Sequence, residues 1–447
     1  MMNAHIDTQA RHDPDQLELE VVRKTRARLI PFLLLMYLIA YVDRTNVSFA
    51  QIQFKQDLGF SGAAYGLGAG IFFVGYLLFE VPSNLVLYRI GARIWLARIM
   101  VTWGIVAALM MFIRTPMSFY ALRFLLGVAE AGFVPGVLLY LTYWFPAMHR
   151  GRIMSLFLLG IPLALIFGSP SAGLLLTLDG VAGLRGWQWL FLVEGVLSVL
   201  VGICAFFYLP EGPDRVAWLE STEKTWLAQR LKREEDARLA EERLSVAQSF
   251  RNPRVLLISL AYFCMTVAQF GIIFWLPPTV KQLGVSGVAH IGLIAAVPWI
   301  FTLIGLLILG HSSDRCLERK KHIVAGLVCT ALGLIVCGLL FEQHPALALV
   351  ALCVGAFGFG THAVFWALST SFLSGAARAS GIAIINSIGT FGGFVGPYLL
   401  GLIVDATGST MQGLFVLSAA AIVGAVLIMT IRHNPDLERA RTISGVG

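Results

Sequence analysis

The stretch AHIGLIAAVPWIFTLIGLLILG, residues 289–310, holds a single ionisable group, His290, near its start. As an α-helix it would be about 33 Å long, enough to cross the roughly 30 Å hydrocarbon core of a bilayer. It runs into HSSDRCLERKK, residues 311–321, which is polar and basic. An apolar helix stopped by clustered Arg and Lys reads as a membrane span ending at the cytoplasmic surface. The pattern Gly310-x-x-x-Asp314-Arg315, with Arg319 and Lys320, has a counterpart 226 positions earlier in Asn84 and Arg89-x-Gly91-x-Arg93. The same offset carries the start of the first apolar run, near 29, onto that of the seventh, near 255. One pattern recurring at one offset marks a duplicated bundle.

Composition points the same way. Of the 447 residues, 57% are hydrophobic and only 13% are charged, about half the charge of a soluble domain. So few charges cannot cover a water-facing surface of this size, which excludes a soluble enzyme, a nucleic-acid binder and a disordered scaffold. Apolar runs long enough to span a bilayer fall near 29–50, 64–88, 94–113, 117–140, 153–177 and 187–209. A second set falls near 255–276, 289–310, 322–341, 346–373, 379–404 and 411–431. The expected organisation is a cytoplasmic segment 1–28, a six-helix bundle 29–209, a linker 210–254, a second bundle 255–432 and a tail 433–447.

The net charge of +7 then becomes a statement of topology. With the N-terminus inside, the cytoplasmic connections carry Arg89, Arg93, Arg150, Arg152, Arg315, Arg319, Lys320, Lys321 and Arg378, and the tail adds Arg432, Arg439 and Arg441. The opposite side has little beyond Lys55, Arg114, Arg185 and Lys281. Both termini are expected in the cytoplasm. The N-terminal segment ends in Arg23, Lys24, Arg26 and Arg28, and the run after it has no small-residue cleavage site, so it reads as a retained span. In the linker, Trp218, Leu219, Trp226, Leu227 and Leu231 recur at helical spacing, predicting an amphipathic helix on the cytoplasmic face. The six cysteines show no metal-ligand or Cys-x-x-Cys spacing and read as reduced core residues.

A few ionisable residues lie inside spans. Asp43 and Arg44 stand about 21 Å of helix rise into the first run. Charges at that depth cost about 2.5–3.5 kcal/mol each on insertion scales, so they face a cavity or a partner. Helix neighbours point about 100° apart, which lets one serve a pocket while the other pairs elsewhere; the alternative is a structural ion pair. Arg123 and Glu130, two turns apart on the fourth span, share a face and form a candidate charge relay; the alternative is a static network with Asp43. His362 in span ten reads as a packing histidine, with a role in substrate preference or proton uptake as the alternative, and Glu80 and Glu194 read as structural residues near span ends.

The repeated Gly-x-x-x-Asp-Arg pattern resembles the signature of the major facilitator superfamily, with Asn84, Tyr88 and Leu317 departing from it. YVDRTN (41–46), FEVPSN (79–84), RFLLGVAEAG (123–132), GWQWLFLVEG (186–195) and GGFVGP (392–397) resemble its anion:cation symporter family. The resemblance covers about 29–432. It implies an all-α polytopic membrane protein of twelve transmembrane helices in two six-helix bundles, the major facilitator fold. It also implies a carrier in a bacterial inner membrane, a monomer without cofactor, that imports a small organic anion with a proton. By the same resemblance Arg44, Tyr41, Tyr76, Arg123 and Asn386 would bind substrate, and Asp43 and Glu130 would carry the coupling proton. Asp314 and Arg315 would form a cytoplasmic gate. Ile161 and Pro162 stand where sugar-acid carriers often place a polar residue. The rival readings are a proton-coupled exporter of small organic compounds, and a membrane enzyme or sensor. The sequence has no Gly-x-x-x-x-Gly-Lys, His-Glu-x-x-His or Gly-x-Ser-x-Gly element to support an enzyme.

Overall fold

A computed structural model describes residues 14–241, 252–371 and 377–431. The expected basic tail with Arg432, Arg439 and Arg441 lies outside the described residues, and the side chain of Arg378 is likewise not described.

Among the described residues, twelve helices are long and apolar enough to cross a membrane. They are spans 1 (Gln16–Asp57), 2 (Gly62–Ile90), 3 (Ala92–Phe112), 4 (Pro116–Thr142), 5 (Ala147–Leu176) and 6 (Gly186–Tyr208) in the first half. Spans 7 (Pro253–Gln282), 8 (Val288–Cys316), 9 (Arg319–Leu340), 10 (Pro345–Thr370), 11 (Gly381–Thr407) and 12 (Met411–Thr430) make up the second. The expected start near 29 marks where span 1 becomes apolar, not where its helix begins: the helix already runs from Pro14. Local chemistry sets the other boundaries. Thr115 and Ser118 form a reciprocal capping box with Pro116 at the first helical position, which starts span 4. Gly91, at φ 98°, supplies the one-residue corner between spans 2 and 3.

Several spans are broken. Span 1 is interrupted at Asn46, span 10 passes through a 3₁₀ turn at Gly358–Thr361, and span 4 stops at Glu130 and restarts at Phe133. Gly132 takes the left-handed conformation, φ 87°, between the two segments of span 4. Broken helices at membrane depth are tolerated where protein surrounds them, because neighbours can satisfy the freed backbone groups.

Lipid tails give apolar helices no hydrophobic reason to associate, so close packing must hold the spans together. Span 2 and span 11 meet along glycines: a Cβ on Gly66 would lie 2.9 Å from the Tyr398 Cα. The halves touch at the end of the molecule opposite the termini. There Gln51 donates to the Phe274 carbonyl at 2.7 Å, Tyr65 to the same oxygen at 3.0 Å, and the Ala63 amide to Asp405 at 2.7 Å. Phe73 packs against Phe270 at 4.6 Å. Among the described residues, no hydrogen bond or ion pair joins the two bundles at the end that carries the termini. The described polar contacts between the bundles thus lie at one end of the molecule.

The connection between the halves folds onto the other end of the first bundle, the one that carries the termini. Its helix, Ser221–Glu241, is tied by Glu223 to Lys24 at 2.8 Å and by Glu234 to Arg150 at 3.1 Å. Trp218 stacks on Trp144 with ring centroids 5.7 Å apart, and Leu227 is fully buried. The amphipathic helix expected in the linker is thus present, with its apolar face on the bundle.

Candidate functional site

Asp43 and Arg44 diverge. The Asp43 carboxylate accepts from the Trp103 indole of span 3 at 2.9 Å and from the Ser198 hydroxyl of span 6. Its other oxygen has no partner. Arg44 instead pairs with Glu130 of span 4. Its guanidinium sits 5.4, 5.2 and 5.3 Å from the ring centroids of Tyr41, Phe72 and Tyr76, an aromatic collar with a favourable cation–π component. The Arg44 side chain keeps 12% exposure against 2% for Glu130, so a ligand can reach the cation more easily than its counter-ion.

Glu130 is the last residue of the first helical segment of span 4. Gly127, one turn earlier, lets span 2 approach so closely that a Cβ there would fall 2.9 Å from the Tyr76 backbone nitrogen. That approach brings Tyr76 over Arg44. Arg123, two turns before Glu130, goes elsewhere. It is fully buried and donates to the carbonyls of Gly68 at 3.2 Å and Ala69 at 3.0 Å, under the rings of Phe72 and Phe274. In this conformation Arg123 therefore holds span 2 and makes no ion pair with Glu130 or Asp43.

The remaining expected residues are scattered. Asn386 is half-buried in span 11 and makes no protein hydrogen bond. Asp314 and Arg315 are exposed at the end of span 8, with Asp314 at 76% and 4.0 Å from Arg319. His362 opens the second segment of span 10, with Nδ1 at 3.0 Å from the Phe359 carbonyl and Nε2 unpartnered. It stands edge-on to Tyr262, which stacks on Phe365 and meets Trp366. This half of the molecule offers an aromatic wall opposite the charged one. Among the described residues, no group of three or more His, Cys, Asp or Glu side chains could hold a metal ion.

The structure also brings in residues that span reading missed. Trp103 and Ser198 complete the Asp43 network, and Phe72 completes the collar. Glu194, expected near a span end, lies eight residues into the 23-residue helix of span 6 and is 5% exposed. It accepts from Asn46 at 2.9 Å. The expected start of span 6 near 187 already placed Glu194 two turns inside the helix; what that side chain faces carried no sequence signal.

Comparison with known proteins gives a consistent result. The sequence profile described as Major Facilitator Superfamily matches residues 33–315 and 287–445. The chain is 44% identical over 430 residues to a quinolone resistance transporter of Acinetobacter baumannii, covering 96% of this chain and 98% of that one. It is 43% identical over 430 residues to a putative tartrate transporter of Agrobacterium vitis, covering 96% and 95%. Its fold is similar to the crystal structure of a bacterial homologue of the human lysosomal transporter Spinster, inward-facing and occupied. That match has a TM-score of 0.72 at 16% identity, covering 90% of this chain and 96% of the other.

Proposed function

Because the chain belongs to the major facilitator superfamily, and is therefore a multi-pass membrane transporter and not an enzyme, we propose that it imports an organic carboxylate anion by proton symport. The single observation that carries this reading is the Arg44–Glu130 pair inside its aromatic collar. A buried carboxylate beside a reachable guanidinium is an internal stand-in for a substrate carboxylate. When Glu130 is ionised it occupies Arg44. When Glu130 takes a proton, Arg44 is released and a substrate carboxylate takes the place of Glu130 on the guanidinium. Occupied and empty sites then carry similar net charge, and half-loaded ones carry an uncompensated charge that resists closure.

Alternating access supplies the movement. Two bundles whose described polar contacts lie at one end suit rocking about a site near the bilayer middle. With the basic connections in the cytoplasm, the end that carries the termini faces inward, and Asp314 and Arg315 would latch it when the opposite end opens. Asp43 would take a second coupling proton, while Tyr41, Tyr76, Arg123 and Asn386 would complete the substrate site during the cycle. The name of the tartrate transporter from Agrobacterium vitis supports a small carboxylate as cargo. Uptake of labelled tartrate into proteoliposomes, with and without an imposed inward proton gradient, tests the reading. Accumulation should rise as the outside is acidified, and accumulation that ignores the gradient would count against symport.

A second reading has its own support. The relative from Acinetobacter baumannii is named for quinolone resistance, which favours a proton-coupled exporter. Inside-out vesicles loaded by acidification separate the two, because an exporter concentrates a quinolone there and an importer of tartrate does not.

A further inference from the structure

Span 1 and span 6 are joined by two polar rungs. In one, Ser198 donates to Asp43; in the other, Asn46 donates to Glu194. Asp43 to Asn46 is about one turn on one helix, and Glu194 to Ser198 about one turn on the other, so the rungs lie roughly 5 Å apart. Only the Asp43 rung touches the region of Arg44.

The second rung ends in an unsatisfied group. Glu194 Oε1 is buried and has no hydrogen-bond partner, and the same holds for Asn46 Oδ1. Glu194 lines a cavity of about 10 Å³, close to the room one water molecule needs. The opposite wall of that cavity belongs to the other bundle, in Ile273, Leu276 and Pro277 of span 7 and Trp299 of span 8. The cavity therefore exists only while the two halves are shut at this end.

No cation answers Glu194. Of the charged residues on the packed elements, Arg44 turns to Glu130, Arg98 lies over the Trp95 ring, and Arg93 reaches Glu211 and the Phe206 carbonyl. Lys55 lies near the Trp275 ring, and Asp57 takes Trp187 and Arg185. Asp43 is the nearest acid. The faces of spans 5, 7 and 8 that line the cavity offer Ser169 and the indole of Trp299 as polar side chains, and no charged group. An ionised carboxylate closed into such a place, without a counter-ion, costs several kcal/mol.

We propose that Glu194 is a proton-loading site at the seam between the bundles, separate from Asp43 and Glu130. It takes a proton on Oε1 from the aqueous phase when that seam is open, and it must hold that proton for the bundles to close over it. The inference rests on the proton-coupled reading above, but its test does not require transport.

Infrared pH-difference spectra of the purified carrier in lipid nanodiscs should contain the C=O stretch of a buried carboxylic acid that is lost in Glu194→Gln and kept in Glu130→Gln. An unchanged set of bands in Glu194→Gln would overturn the site. Should that variant fail to fold, Asn46→Leu keeps the carboxyl and removes its donor, so the same band should move to higher frequency; an unmoved band is equally fatal. Spin labels at Gln56 and Gln412 then read the width of the seam. Wild type should open there as the medium becomes alkaline, while Glu194→Gln stays shut; a variant that opens like wild type removes the gating role. Failure of wild type to accumulate tartrate, with the Glu194 band present, would defeat the symport reading and leave this site standing.

Discussion

Asp43 and Arg44 are consecutive in span 1 yet belong to separate networks: Asp43 is held by Trp103 and Ser198, Arg44 by Glu130. The 100° step between helix neighbours sends one side chain toward spans 3 and 6 and the other toward span 4. Neither is the other's counter-ion. A proton on Asp43 therefore changes the charge behind span 1 without directly freeing Arg44, whereas a proton on Glu130 frees it at once.

That separation makes Glu130 the residue whose loss should uncouple transport. In proteoliposomes, Glu130→Gln is expected to keep exchange of labelled for unlabelled tartrate and to lose accumulation driven by a proton gradient. Accumulation at the wild-type level would remove Glu130 from the coupling pathway.

Arg44→Lys preserves the charge but not the planar two-donor fork or its stacking in the collar. Losing one charge-assisted hydrogen bond and the fit to three rings should weaken tartrate binding by about 1.4–2.8 kcal/mol, roughly 10- to 100-fold. Isothermal titration of the purified protein measures it, and an unaltered affinity would take Arg44 out of the site.

Asp405 of span 11 caps the start of span 2 across the bundle interface, accepting from the amides of Gly62 and Ala63. Replacing a capping side chain with Ala costs about 1 kcal/mol, and here the cost falls only on the state closed at this end. Asp405→Ala should shift the population toward opening there by roughly fivefold. The distance between spin labels at Gln56 and Gln412 reports the shift.

Gly132 holds span 4 in a left-handed conformation, and a Cβ there would come 2.8 Å from the Ser83 Cβ. Gly132→Ala should destabilise the protein by about 1–2 kcal/mol. Gly151, in the helix Ala147–Leu158, has open space where a Cβ would go, so Gly151→Ala should be neutral or mildly stabilising. Thermal unfolding of the two variants side by side separates backbone strain from a general intolerance of substitution.

The order of twelve spans was legible in the amino-acid sequence because bilayer thickness imposes a length on every apolar run, and Arg and Lys punctuate those runs. Asp43, Arg44, Arg123 and Glu130 stood out for the same reason: charge at membrane depth needs a cause. The partners of those four residues were not legible. Arg123 shares a helix face with Glu130, yet it serves the carbonyls of Gly68 and Ala69, because the close approach of span 2 decides what that face meets. The expected start of span 6 at 187 stood one residue from the observed Gly186, but the isolation of Glu194 depends on four other spans. Sequence fixes which groups lie in the membrane, through transfer energies that each residue carries by itself. Tertiary structure decides which of them neutralise one another, because in a low-dielectric interior that depends on contacts a few ångströms long between residues far apart in the chain.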